Sequence, residues 1–195
     1  MGKKRGQKYE QIIDAAVKVI AENGYHHSQV SKIAKEAGVA DGTIYLYFKN
    51  KEDILISLFE EKMGSFVDAI SEKLKEESSV EKKLLILIEM HFMQLEMDHD
   101  LAIVTQLELR QSNISIRYKV NEVLKGYLGL VDSVLKEGVE KGIFEENLDL
   151  RIARQLIFGA IDEVVTNWVM KDHRYDLSPL AETVHRMLLK GLSKN

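Results

Sequence analysis

Proline occurs once in these 195 residues, at Pro179. Proline breaks a helix from within, because it lacks an N–H and its ring clashes with the preceding turn. A chain almost free of it can run long helices, and the apolar residues here recur at helical spacing. From Tyr9 to Glu22, Ile12, Ile13, Ala16, Val17 and Ile20 share one face. Gly24 suits the left-handed position that ends a helix. Ser28 is placed to cap a second, short helix whose inner face is Val30, Ile33, Ala34 and Ala37, with Gly38 closing it. A third short helix is predicted from about Asp41 to Phe48. Asn50 is placed to cap a long helix reaching about residue 77, with Glu52 and Asp53 complementing its dipole. Five further helices are predicted over about 80–97, 100–112, 114–141, 150–171 and 177–192. No stretch alternates with period two, so the predicted fold class is all-α.

Composition narrows the function. Cysteine is absent, which excludes disulfides and thiolate metal sites. The six histidines (26, 27, 91, 99, 173 and 185) show no ligand spacing, so no metal site is expected. No stretch approaches the ~20 apolar residues of a membrane span, and the N-terminus "MGKKRGQKYEQ" lacks the apolar core of a signal peptide. The cytoplasm is the expected compartment, with no membrane partner. Net charge is −4, but residues 1–51 hold nine basic and five acidic residues, hence +4, and the remainder carries −8. A basic head on an acidic body suits a head that meets a polyanion, although a chance fluctuation of charge gives the same numbers.

The stretch "GVADGTIYLYFKNKED" (residues 38–53) concentrates this reading. Two short helices separated by "GVAD" have the length and turn of a helix-turn-helix, whose second helix enters a DNA major groove. Gly38 permits the turn, and Val39 anchors it in the three-helix core. Gly42 leaves the approach to DNA unobstructed, and Thr43 is placed to donate to a phosphate while capping the helix. Ile44 and Phe48 fall on one face and seal a small core. Tyr45 and Tyr47 fall elsewhere, each with a hydroxyl that can reach a phosphate or base edge, though core burial of both rings fits the pattern equally. Lys51 adds a cation and a helix N-terminus for another phosphate.

These residues resemble the N-terminal DNA-binding module of TetR-family transcriptional regulators. The family pattern I-A-x-x-A-G-V-x-x-G-T-x-Y-x-Y-F-x-x-K-E-x-L appears as Ile33-Ala34, Ala37-Gly38-Val39, Gly42-Thr43, Tyr45, Tyr47-Phe48, Lys51-Glu52 and Leu55. The resemblance covers roughly residues 9–58 and implies that Thr43, Tyr45, Tyr47 and Lys51 contact DNA. It extends the candidate set to Ser28 and Gln29 at the start of the second helix, and to Asp41 and Gly42 at the start of the recognition helix. The family often has threonine where this chain has Gln29.

The implied division is a DNA-binding domain over 1–51 and a ligand-binding and dimerisation domain over 52–195. In the family the last two long helices form a four-helix bundle with those of a second copy, which implies a homodimer on a palindromic double-stranded operator. Here the first of them carries Ala153, Leu156, Ile157, Ala160, Ile161, Val164, Val165 and Trp168, a stripe broad enough to bury two faces. Trp168 reads more simply as plain core packing. No phosphate loop, nucleophile elbow or paired-carboxylate site is visible, so an enzyme is not expected.

"LAIVTQLELRQSNISIRYKV" mixes long aliphatics with Gln106, Arg110, Gln111, Asn113 and Arg117. An apolar cavity with cations and amides at its mouth suits a long-chain ligand with an anionic head; a solvated surface helix explains the same pattern. Met90, Met93, Met97 and His91 likewise fit either an adaptable pocket or an ordinary core. Over most of its length the chain is similar to a TetR subgroup from Bacillus, the repressors of fatty-acid degradation, in "GVADGTIYLYFKNKEDILISLF", "LAIVTQLELRQSN", "LKGYL" and "ARQLIFGAIDEVVTNWVMKD". That similarity implies a repressor of β-oxidation genes released by long-chain acyl-CoA, with no other cofactor. The expected ligand residues are Leu87, His91, Leu107, Arg110, Gln111, Arg117, Leu128 and Phe158. Two other readings stand beside it: a repressor answering a different hydrophobic ligand, as in control of drug efflux, and a DNA-bound protein-interaction factor with no small ligand.

Overall fold

A computed structural model describes residues 6–108 and 113–193. Among the described residues the chain is all-α, as expected, with nine helices: α1 (Gln7–His27), α2 (Val30–Glu36), α3 (Asp41–Ile44), α4 (Lys51–Glu76), α5 (Val80–Met97), α6 (His99–Glu108), α7 (Ile114–Glu140), α8 (Leu150–Met170) and α9 (Ala181–Leu192). A 3-10 turn, Ser178–Leu180, precedes α9 and contains the lone Pro179, at a position where its missing N–H costs nothing. The chain packs as two compact units, Met1–Lys62 with Asp100–Val123, and Met63–His99 with Leu124–Asn195. The expected division after residue 51 therefore falls inside the first unit, which also takes in α6 and the start of α7.

In the first unit α1 packs on α2 and α2 on α3, and the amphipathic face of α1 reaches Phe48 after α3. Ile12, Ile13, Ile20, Ile33, Ile44, Phe48, Leu55 and Phe59 are all buried. Phe48 stacks on Tyr9 with ring centres 5.3 Å apart. Gly38 has φ +65° and stands just past α2, where Val39 N–H bonds to the Ala34 carbonyl and Gly38 N–H to that of Lys35. This pair of bonds closes the helix end and sets the sharp turn into α3. Asn50 caps α4 as expected, its Oδ1 accepting from Asp53 N–H at 2.8 Å. Lys62 pairs with Asp14 at 2.6 Å and so ties α4 to α1.

Two local expectations are corrected. Helix α1 does not stop before Gly24 but continues to His27 through a kink, with Gly24 at φ 71° and ψ 155°, a conformation open essentially to glycine alone. The third helix is a single turn that ends at Ile44, and residues 45–47 form a turn beyond it.

The second unit is built from the remainder of α4 with α5, the remainder of α7, α8 and α9. Leu84, Leu87, Ile88 and Phe92 of α5 are buried, as are Val131 and Leu135 of α7. Ala153, Ile157, Ile161, Val165 and Trp168 bury the inner face of α8. Trp168 is core, as its pattern allowed, and its indole N–H donates to the Tyr175 carbonyl at 2.6 Å. The outer face of α8 stays open: Leu156 is 63% exposed, Ile152 is exposed one turn before it, and Met170 is exposed at the far end of the helix. Glu96 of α5 accepts from Leu177 N–H, from Ser178 N–H and from the Ser178 hydroxyl, which fixes the entry to α9.

Candidate functional site

The first unit carries an outward surface made by the start of α2, by α3 and the turn after it. Asp41 and Gly42 are exposed at the beginning of α3. Tyr45 is 59% exposed. Tyr47 is half-buried; its ring lies 6.4 Å from those of Tyr9 and Phe48. One tyrosine therefore projects freely and the other shares its ring with the core. Ile44 and Phe48 anchor the same segment from inside, as their spacing predicted. Nothing lies within 4 Å of where a Cβ would stand on Gly42, so no intramolecular contact requires a glycine there. Glycine nonetheless costs about 1 kcal/mol against alanine in a helix. Gln29 is exposed at the N-cap position of α2, without a capping bond from its side chain.

Three of the expected roles change. Ser28 is 2% exposed and its hydroxyl donates to the carbonyls of Val19 at 3.1 Å and Gly24 at 2.8 Å. It closes α1 rather than capping α2, and it offers no donor to a phosphate. Thr43 does not cap α3, because the helix begins two residues earlier and Ala40 holds the cap position; its half-buried side chain lies within the turn. The Lys51 ammonium donates to the carbonyls of Tyr25 at 2.9 Å and His26 at 3.0 Å and stands 4.7 Å from the centre of the Tyr25 ring. That cation satisfies the end of α1, where orphan carbonyls gather, so the charge proposed for a phosphate is engaged inside the protein.

A network around Tyr25 escaped the sequence reading. Tyr25 is buried, Lys51 holds its carbonyl, and Glu108 at the end of α6 accepts from its N–H at 3.0 Å. Partners so distant in sequence leave no periodic trace.

Within the second unit, two of the expected ligand residues, His91 and Phe158, meet at Tyr127, a residue the sequence pattern does not mark. Tyr127 of α7 is buried. Its ring stacks on Phe66 at 5.9 Å, meets His91 edge-on at 5.4 Å and Phe158 at 6.1 Å. His91 Nδ1 is 3.1 Å from the Tyr127 hydroxyl, and His91 Nε2 is buried with no hydrogen-bond partner among the described residues. Burial pushes the His91 imidazole down from its ordinary value to about 4, so it is neutral at pH 7. Burial, and then the charge of Asp162, push the Tyr127 phenol up. Leu87 is buried, and Leu128 and Phe158 are half-buried. The arrangement is an aromatic and aliphatic interior with one neutral polar pair.

The remaining expected ligand residues belong to the first unit or lie outside the described residues. Leu107 is 49% exposed on α6, and Arg117 is exposed near the start of α7. Arg110 and Gln111 lie outside the described residues. Asn113, read as an amide at a cavity mouth, caps α7 instead, its Oδ1 accepting from Ser115 and Ile116 N–H. Gln106 is buried rather than at a mouth. No group of three or more His, Cys, Asp or Glu able to hold a metal occurs among the described residues. Nor is any helix among them long and apolar enough to cross a membrane.

Comparison with known proteins gives this geometry a context. Residues 12–58 match the family described as bacterial regulatory proteins, tetR family, and residues 59–191 match the YsiA-like protein, C-terminal region. The chain is 62% identical over 190 residues to the fatty acid metabolism regulator protein of Bacillus subtilis (strain 168), covering 97% of this chain and 98% of that one. The structure of the fatty acid degradation regulator FadR from Bacillus halodurans superposes with a TM-score of 0.92 at 68% identity, covering 94% of this chain and 99% of that one. FadR from Bacillus subtilis in complex with stearoyl-CoA superposes with a TM-score of 0.92 at 63% identity and the same coverage. With both halves of the chain matched and near-complete relatives at this identity, the chain belongs to the TetR family of bacterial transcriptional regulators.

Proposed function

We propose that this regulator represses genes of fatty-acid degradation and is released from its operator by long-chain acyl-CoA. The observation that carries the reading is the 63% identity, over nearly the whole chain, with a FadR whose structure holds stearoyl-CoA. The aromatic interior around Tyr127 supports it, because an apolar tail needs an enclosed apolar lining. In this reading Leu87, Leu128 and Phe158 take the acyl tail beside the neutral His91. The CoA phosphates require cations, and Arg117 is proposed for them, with Arg110 and Gln111, outside the described residues, as further candidates by residue type alone.

The DNA contacts in this reading come from Gln29, Thr43, Tyr45 and Tyr47, with Gly42 permitting close approach. Asp41 supports the first turn of α3 through its dipole. Lys51 contributes the N-terminal N–H groups of α4 rather than its ammonium.

The partner copy is another molecule of this chain. Ile152, Leu156, Gly159 and Met170 lie along one open face of α8, and Met187 of α9 is 70% exposed. A second copy covering that face presents two heads to a palindrome with half-sites about one helical turn (~34 Å) apart. Such a regulator acts in the cytoplasm. Native mass spectrometry of the protein incubated with stearoyl-CoA, and with a drug-like hydrophobic cation as control, tests the ligand. Retention of the acyl-CoA mass alone supports the reading; retention of neither returns the choice to a protein-interaction factor.

A further inference from the structure

Leu46 is 81% exposed, more than any other large hydrophobic side chain among the described residues. A single exposed leucine is ordinary on a protein surface, and its position gives this one significance. It stands in the turn directly after α3, its N–H bonded to the Thr43 carbonyl at 3.2 Å. Two residues before it Ile44 is fully buried, and two residues after it Phe48 is 1% exposed and stacked on Tyr9. Anchored on both sides, the backbone holds Leu46 outward in one place, so little ordering cost remains when a partner arrives. The flanking segments are polar and carry the exposed acids Glu36 and Asp41 against three exposed lysines. Tyr45 is exposed beside it, Gly42 opens the same surface, and Lys32, Lys35 and Lys49 are exposed on the flanking segments.

A polyanion fits that charge. The apolar tip narrows the partner to duplex DNA, because the major groove displays one apolar group, the C5-methyl of thymine. We propose that Leu46 is a specificity-determining residue that reads a thymine methyl in each operator half-site. The proposal rests on the DNA-binding reading above.

The test uses the full chain and an operator selected by it from a random duplex pool. Each thymine of the half-site is replaced in turn by deoxyuridine, which keeps the base pair and removes only the methyl. Affinity is read by fluorescence anisotropy at fixed salt. The wild type loses about fourfold per half-site at one thymine position, the value of one buried methyl group. Leu46→Ala becomes indifferent to deoxyuridine at that position and keeps its salt dependence, while Leu46→Met, which retains apolar contact, keeps the sensitivity. Because Leu46 is exposed, neither variant disturbs the core, and circular dichroism checks this. Wild-type affinity indifferent to deoxyuridine at every position, or undiminished sensitivity in Leu46→Ala, overturns the proposal and leaves DNA binding intact. Failure to select any operator overturns the DNA-binding reading and the proposal with it.

Discussion

Glu108, at the end of α6, accepts a 3.0 Å hydrogen bond from the backbone N–H of Tyr25, 83 positions earlier in the chain. The bond fastens α6 to the kink of α1, immediately after Gly24, whose conformation only glycine adopts readily. Lys51 holds the carbonyl of the same Tyr25, so one residue is gripped on both sides of its backbone. Removing the acceptor strands a buried N–H. Glu108→Ala is expected to destabilise the protein by about 1–3 kcal/mol, and Glu108→Gln, which still accepts, by less. Urea unfolding of the two variants checks the order; equal losses contradict it.

Tyr47 and Thr43 separate binding from folding. Tyr47→Phe keeps the ring against Tyr9 and Phe48 and removes only the hydroxyl. Thr43→Ala removes a hydroxyl that caps nothing. Each is expected to weaken operator binding by about 1 kcal/mol with its unfolding midpoint unchanged. Anisotropy on operator DNA equal to wild type for both variants removes these side chains from the interface.

The assignment of these roles shows what sequence patterns reveal. Ile44 and Phe48 were legible as core because residues four apart on a helix share a face, and Asn50 as a cap because a helix stripe began beside it. Ser28 has the same capping chemistry, yet a serine between two helices can serve either one; only packing decides that it donates back to Val19 and Gly24. Lys51 was legible as a cation, but the carbonyls that hold it come from a helix 25 residues away. Tyr127 was invisible as a centre, since periodicity puts it on an inner face without naming the rings it meets.

The open face of α8 makes the assembly testable without disturbing the core. Leu156 is exposed, so Leu156→Arg is expected to fold with an unchanged helical signal and to sediment as a monomer, because it sets a charge in the apolar seam proposed for the dimer. An intact dimer in analytical ultracentrifugation takes this face of α8 out of the interface.

His91 gives stability a pH dependence of known sign. Its imidazole titrates near 4 in the fold and near 6.5 when unfolded, so the unfolded chain binds its proton first. The stabilisation is complete above pH 6.5 and is lost as pH falls from 6.5 toward 4, by on the order of 3 kcal/mol. His91→Gln removes this component, so its unfolding free energy is expected to fall less steeply across that window. Identical slopes for the two proteins contradict a neutral, buried His91.

The central claim, that acyl-CoA and operator DNA compete through one protein, is tested most directly by measuring their affinities together. Titration calorimetry of stearoyl-CoA into the free protein and into the operator-bound protein gives one ratio. Anisotropy of the operator with and without saturating stearoyl-CoA gives the other. Linkage requires the two ratios to be equal. The account predicts weaker stearoyl-CoA binding to the DNA complex and weaker DNA binding to the acyl-CoA complex by the same factor; equal stearoyl-CoA affinities in the free and DNA-bound states contradict it.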